Sequence, residues 1–200
     1  MNPIPVNLAT EDELSEITLL RILSRLDRFA VGTAYRRGGH GYLRRTIVGW
    51  NSAARGRPFI VLTDLDSNEC PARLIGDWLP IPKDPNLQFR VAVRDVESWL
   101  LADRDNISEF LGISASRIPV APDTLADPKR TIVELAGRSR KSIRDRVVPR
   151  IGSTAKQGPD YNACLDSFVQ SRWDFQAARA NSPSLARTLD RLITFIPVWP

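Results

Sequence analysis

Four carboxylates occupy positions where they could do chemistry together. Glu11 follows the short apolar stretch from Ile4 to Ala9, Asp64 and Asp66 close the run Phe59-Ile60-Val61-Leu62-Thr63, and Glu97 lies just beyond the alternating stretch Leu87 to Val93. If these stretches are strands of one parallel sheet, their carboxyl ends bring all four groups to one edge, which is where ligands bind in open sheets of this kind. Carboxylates held together repel and raise one another's pKa unless a cation neutralises them. Hard oxygen donors suit Mg²⁺ or Mn²⁺, and either ion can bridge to phosphate oxygens.

Each residue also has an ordinary reading. Glu11 falls at the first position of a helix, where an acidic side chain complements the dipole. Asp64 and Asp66 are one residue apart and share a face of an extended segment, yet aspartate is also common in the turn after a buried strand. Glu97 stands among Val96, Trp99 and Leu100, which define an apolar stripe, so it also reads as an exposed helical residue; Asp103 reads as a cap of the turn that follows. The cluster Gly38-Gly39-His40-Gly41 would let backbone N–H groups approach a phosphate at a helix start, although it lacks the lysine and spacing of a P-loop. His40, the only histidine, rules out multi-histidine metal sites and reads as a phosphate or water contact or as a solvated loop residue.

The elements that must position these groups follow from periodicity and caps. Ile4 to Ala9 reads as a short strand, with Pro5 favouring an edge or a strand start. Thr10-Glu11-Asp12-Glu13 matches a capping box, and Leu19, Ile22, Leu23 and Leu26 carry a helix to about Phe29. A strand over Ala30 to Tyr35 and a helix over Tyr42 to Ala54, stopped by Gly56, come next. Phe59 to Thr63 is continuous, apolar and β-branched, as a strand buried on both faces should be. A short helix within Cys70 to Leu79, a strand over Leu87 to Val93 and a helix from Asp95 to Leu101 complete four strand–helix alternations, which predict a mainly parallel four-stranded α/β sheet flanked by helices. Beyond residue 104 the pattern turns helical: Asn106 to Leu111, Pro128 to Ala136 capped by Asp127, Pro159 to about Ala180, and Pro183 to Phe195 capped by Ser182. The expected organisation is therefore a core over 1–104 and a C-terminal helical extension or lid over 105–200.

Composition narrows the function classes. With 42% apolar and 26% charged residues the chain is of globular type, and its apolar runs are far shorter than the roughly 18 residues a membrane span requires. Met1 to Asn7 shows no signal-peptide pattern, so the default address is the cytoplasm. Cys70 and Cys164 read as two reduced thiols, not as a disulfide framework or zinc site. The serines offer no nucleophile elbow. The formal charge of +5 is concentrated: from Pro128 to Arg150, eight basic residues (Lys129, Arg130, Arg138, Arg140, Lys141, Arg144, Arg146, Arg150) face only Glu134 and Asp145. Such a surface suits phosphates and would make binding salt-dependent, or it is a solvated helix face.

Several segments together resemble an uncharacterised bacterial family related to TOPRIM domains. They are Ala-Thr-Glu11-Asp-Glu, Val-Leu-Thr-Asp64-Leu-Asp66, Val-Arg-Asp-Val-Glu97-Ser-Trp-Leu-Leu-Ala-Asp103, Asp127-Pro128-Lys129-Arg130, Gly158-Pro159-Asp160-Tyr161-Asn162 and Ser182-Pro183-Ser184-Leu185-Ala186-Arg187, so the likeness extends over nearly the whole chain. The resemblance implies a TOPRIM-like fold, with Glu11 as acid/base or metal ligand, Asp64 and Asp66 as ligands of Mg²⁺ or Mn²⁺, and Glu97 as a further acidic site residue. The usual first TOPRIM motif has a glycine after its glutamate, where this chain has Asp12.

The expected function is a divalent-metal-dependent nuclease or phosphotransfer protein acting on nucleic acid, with a place in phage defence implied by the resemblance. His40, Lys129, Arg138, Arg140, Lys141, Arg144 and Arg146 are its expected nucleic-acid contacts. Two alternatives stand beside it: a non-catalytic TOPRIM-like adaptor for an ATPase partner, and a small-molecule phosphatase suggested by Asp64-Leu65-Asp66-Ser67. Oligomeric state is left open.

Overall fold

A computed structural model of the chain describes residues 2–36 and 38–199. Four strands, β1 (Ile4–Thr10), β2 (Phe29–Tyr35), β3 (Phe59–Asp64) and β4 (Leu87–Ala92), form one sheet in the order β2-β1-β3-β4, parallel at every pairing. The helices between them are α1 (Glu13–Leu26), α2 (Gly39–Ala53) and α3 (Pro71–Trp78). After β4 the chain is helical: α4 (Val96–Ala102), α5 (Arg104–Leu111), α6 (Pro128–Ala136), α7 (Lys141–Val147), α8 (Tyr161–Ser171), α9 (Phe175–Arg179) and α10 (Pro183–Ile193), with short 3₁₀ turns at Ala115–Arg117 and Pro122–Thr124. The expected α/β class and four-stranded parallel sheet are those observed. No helix among the described residues is long and apolar enough to cross a membrane.

The chain divides into two compact units, Met1–Val93 with Arg187–Pro200, and Arg94–Ala186. The sequence expectation put the division at residue 104. It differs from this one because α4 groups with the helical unit and because the last residues return to the sheet. That return is fixed by hydrogen bonds: Arg28 donates to the Phe195 carbonyl at 2.6 Å, while Asn86 donates to the Val198 carbonyl at 2.7 Å and accepts from its N–H at 2.8 Å.

In the sheet unit, β3 is buried at all six positions, as a central strand covered on both faces must be. Its Val61 joins Ala9 of β1, Phe89 and Val91 of β4, Leu43, Ile47 and Trp50 of α2, and Leu74 and Trp78 of α3 in one apolar cluster. Val6 and Leu8 point to the opposite face, where α1 buries Leu14, Leu19, Ile22 and Leu23. Each such side chain fully removed from water contributes about 1.5–3 kcal/mol before entropy is counted. β1 is an interior strand, so the edge reading of Pro5 does not hold. Pro5 is instead the second residue of its strand, where a missing N–H costs least. Of the two edge strands, β4 is largely buried while β2 is almost wholly exposed, and the pairing of β2 with β1 slips between Val6 and Leu8. There Asn7 accepts from the Thr33 N–H at 3.0 Å, and a Cβ on Gly32 would stand 2.8 Å from Asn7 Oδ1, so that side chain would have to shift to admit one.

The helical unit packs around aromatic side chains whose polar atoms are satisfied. Trp99 Nε1 donates to Ser184 Oγ at 2.7 Å, and Trp173 Nε1 donates to the Trp99 carbonyl at 3.2 Å. The expected single helix from Pro159 to Ala180 is two helices. Asp174 ends the first by accepting from the N–H groups of Gln176 and Ala177, which caps the second.

Candidate metal centre

Glu11 is set free from α1 by a shift of the cap. The helix begins not on Thr10 but on Asp12, whose carboxylate accepts from the Ser15 N–H at 2.8 Å. Glu11 thus lies ahead of the helix, in the turn between β1 and α1, and the reading as a first-turn residue complementing the dipole is replaced. Its half-buried carboxylate turns toward the carboxyl end of β3, where Oε2 accepts from Thr63 Oγ1 at 3.0 Å and faces the Asp64 N–H at 3.5 Å.

Asp64 and Asp66 part company at the end of β3. Asp64 is the last residue of the strand and only 7% exposed. Asp66 takes a left-handed backbone conformation with φ of 49°, a region that aspartate tolerates better than most side chains. The turn swings its carboxylate out, leaving the side chain 53% exposed. The expected shared face of an extended segment is therefore broken by the turn.

The third member of the cluster comes from α2. Two left-handed glycines, Gly38 and Gly39, turn the chain into this helix and put His40 in its first turn. The imidazole leans on Trp78 with ring centroids 4.7 Å apart, and Trp78 is itself held against Phe89. His40 Nδ1 lies 3.9 Å from Asp66 Oδ2. One ligand atom each from Glu11, His40 and Asp66 lie within 4.8 Å of one another, close enough to share a metal ion. His40 was expected as a nucleic-acid contact. Its nearest partners are carboxylate and indole; its type permits a ligand role, but nothing in the local sequence announced which acids it would meet.

Electrostatics agree with the geometry. Burial pushes the Glu11 carboxyl above its usual range, its bond from Thr63 opposes the shift, and the charge of Asp66 adds to it while His40 counters it. Two carboxylates and an imidazole fit a divalent ion by donor chemistry, and the nitrogen tips the set from Mg²⁺ toward a transition ion such as Mn²⁺.

Glu97 belongs to the helical unit and is not the exposed helical residue of its ordinary reading: it is 1% exposed. Tyr161 Oη donates to its Oε1 at 3.0 Å, and Lys129 Nζ lies 3.5 Å from the same oxygen. The ammonium expected to contact nucleic acid thus lies beside a buried carboxylate. Asp103, at the N-cap position of α5, accepts from Asn106 Nδ2 at 2.9 and 3.1 Å and from the Asp174 N–H at 2.7 Å.

The remaining basic candidates are surface residues. Arg138 and Arg140 are exposed between α6 and α7, Lys141 and Arg144 are exposed on α7, and Arg146 is half-buried. Arg140 and Arg144 are four residues apart and share a helix face, while Ile143 and Val147 bury the other. None of Arg138, Arg140, Lys141 and Arg144 forms a salt bridge among the described residues. Both cysteines are free thiols, Cys164 buried and Cys70 partly so. Comparisons of the chain with protein-family models, with curated proteins and with solved structures each found no match.

Proposed function

We propose that Glu11, His40 and Asp66 hold a divalent cation and that the chain is a metal-dependent nuclease or related phosphotransfer protein acting on nucleic acid. The observation that carries this reading is the convergence of the three ligand atoms within 4.8 Å, at the carboxyl end of a parallel sheet. The resemblance to TOPRIM domains, which use a glutamate and an Asp-x-Asp at a phosphodiester, points the same way. A bound divalent ion would supply Lewis acidity at a scissile phosphate.

The chain's own residues divide the remaining work. Thr63 orients Glu11 through its hydroxyl, so that one carboxylate oxygen is fixed and the other is left to bind a cation or take a proton. Trp78 sets the plane of the His40 ring. The first-turn N–H groups of α2, opened by Gly38 and Gly39, present the positive end of a helix to an anionic substrate. In the helical unit, Arg140 and Arg144 supply a basic face suited to backbone phosphates.

Calorimetric titration with Mn²⁺ and Mg²⁺, run on the wild type, Glu11→Gln, His40→Ala and Asp66→Asn, tests the reading together with nicking of supercoiled plasmid. The expected result is Mn²⁺ binding that each substitution weakens at least about tenfold, the equivalent of about 1.4 kcal/mol, and metal-dependent nicking lost with it. Absence of both metal binding and nicking in the wild type would sink the proposal and favour a non-catalytic adaptor.

A further inference from the structure

A second polar site is built on the other side of the sheet unit's chemistry, along β4 and α10. Residues on β4 alternate: Leu87, Phe89 and Val91 enter the apolar core, so Gln88 and Arg90 face the opposite way. They line a cavity of about 1040 Å³ together with Lys83, Arg187, Asp190 and Arg191. Arg187, Asp190, Arg191 and Thr194 follow one another at the spacing of a single helix face, and all four line the cavity. Four cations from three segments therefore meet one carboxylate.

Arg90 Nε is buried and has no acceptor among the described residues. A buried unpaired guanidinium N–H is costly, and an anionic ligand in the cavity is one way of completing it. Burial, reinforced by the neighbouring charge of Arg191, brings the Arg90 guanidinium down to about 10. Burial also lowers Lys83, and Arg90 adds to that, even though Lys83 Nζ donates to the Leu87 carbonyl at 2.8 Å. Both shifts are the signature of positive charge concentrated in a partly desolvated space.

Part of the lining is apolar. Ile75, Phe195 and Ile196 form it, and the segment carrying the last two is clamped by Arg28 at one end and by Asn86 at the other. Small-molecule sites combine a concave apolar surface with a few convergent polar groups, in volumes of about 300–1,000 Å³.

We infer that this cavity binds a multiply charged phosphate ligand with an organic moiety, of the nucleoside di- or triphosphate class, with Lys83, Arg90, Arg187 and Arg191 on the phosphates and Ile75, Phe195 and Ile196 against the organic part. The charges converge on one concavity instead of tracking along a surface, which favours a small ligand over a polynucleotide. The site is separate from the Glu11 cluster, and the inference holds whether or not that cluster binds metal.

The test is calorimetric titration of the whole chain with ADP, with pyrophosphate and with a 12-nucleotide oligothymidylate, in EDTA so that no metal-site binding contributes. ADP should bind one per chain, more tightly than pyrophosphate. Arg187→Glu and Arg191→Glu, both at exposed positions that leave thermal unfolding in place, should each weaken ADP about tenfold or more. Arg90→Gln should do the same; if it fails to fold, the two exposed variants carry the test. The inference is overturned if ADP does not bind, if both reversals leave its affinity unchanged, or if pyrophosphate binds as tightly as ADP. Oligothymidylate binding through Arg187 and Arg191 without ADP binding would also overturn it and give the groove to nucleic acid.

Discussion

Both units of this molecule withdraw a glutamate from water, and they treat it in opposite ways. Glu97 in the helical unit receives a tyrosine hydroxyl and a lysine ammonium, so its charge is answered from within. Glu11 in the sheet unit receives one threonine hydroxyl and then meets a second carboxylate and an imidazole at an edge open to solvent. A carboxylate answered by donors stabilises its surroundings, and one set against another carboxylate favours the approach of a cation or a proton. The difference predicts that substitution of Glu97 registers as stability and substitution in the Glu11 cluster as binding.

The largest effect on stability should come from Glu97→Ala. Removing the carboxylate deletes the bond that the buried Tyr161 hydroxyl makes at 3.0 Å and the negative charge 3.5 Å from Lys129 Nζ. A loss of about 2–4 kcal/mol in urea-induced unfolding is expected. A loss under about 1 kcal/mol would break the comparison. If Glu97→Gln keeps stability and still abolishes nicking, Glu97 rejoins the reacting groups.

Gly158 is the next most sensitive position. A Cβ there would lie 2.3 Å from the Arg146 carbonyl oxygen, a backbone atom that cannot step aside, and the Gly158 N–H is bonded to the Val147 carbonyl at 2.8 Å. Gly158→Ala should cost about 1–3 kcal/mol through forced displacement of the α7–α8 connection, read as a lowered unfolding midpoint with metal binding unchanged. Charge reversal at Arg140 and Arg144 should instead leave the midpoint within about 0.5 kcal/mol. It should weaken DNA binding and flatten its dependence on salt by about one unit of log–log slope per residue. An unchanged slope would remove this face from the proposed interface.

How far these contrasts were legible in the sequence depended on whether the signal was local. α6 was bounded by its own residues, Asp127 as cap and Pro128 at the first position, and its ends fall where they were expected. β3 announced its burial through an unbroken apolar run. The break before α9 was hidden because Trp173 and Phe175 continue the apolar pattern and no glycine or proline interrupts it; Asp174 breaks the helix only by capping the next one. α7 was missed for the converse reason: its N-cap position is Arg140, which makes no side-chain cap. Glu11 and Asp66 were visible as acids after strands. His40 was not visible as their partner, since that depends on the order β2-β1-β3-β4 bringing the start of α2 to the end of β3, which no local pattern encodes. Glu97 shows the limit from the other side: sequence placed it correctly on α4 and could not tell that Tyr161 and Lys129 would enclose it.

A smaller effect separates the units by pH. Burial raises the Asp103 carboxyl above its ordinary value of 3.8 despite its bonds from Asp174 and Asn106. The folded chain therefore holds this proton more tightly than the unfolded chain does. Its contribution is fully present below the ordinary value and is lost as pH rises through the raised one. Asp103→Asn should remove that slope, so the stability difference between wild type and variant should shift in favour of the variant as pH rises from below 3.8 through the raised value. Parallel curves for the two proteins would mean that the bonds from Asp174 and Asn106 fully offset the burial.

The smallest effect on stability is the most informative. Asp66 is exposed, lies in a turn and adopts a left-handed conformation that asparagine takes as readily as aspartate. Asp66→Asn keeps the shape and removes the charge, so unfolding should move by less than about 0.5 kcal/mol. Relief of repulsion on Glu11 makes a slight gain as reasonable as a slight loss. If Mn²⁺ affinity collapses in the same variant, the charge at this edge is kept for binding and not for folding. If instead stability drops by more than about 1 kcal/mol while metal affinity is untouched, Asp66 is a structural turn residue, and the sheet unit's carboxylates are answered from within, as Glu97 is.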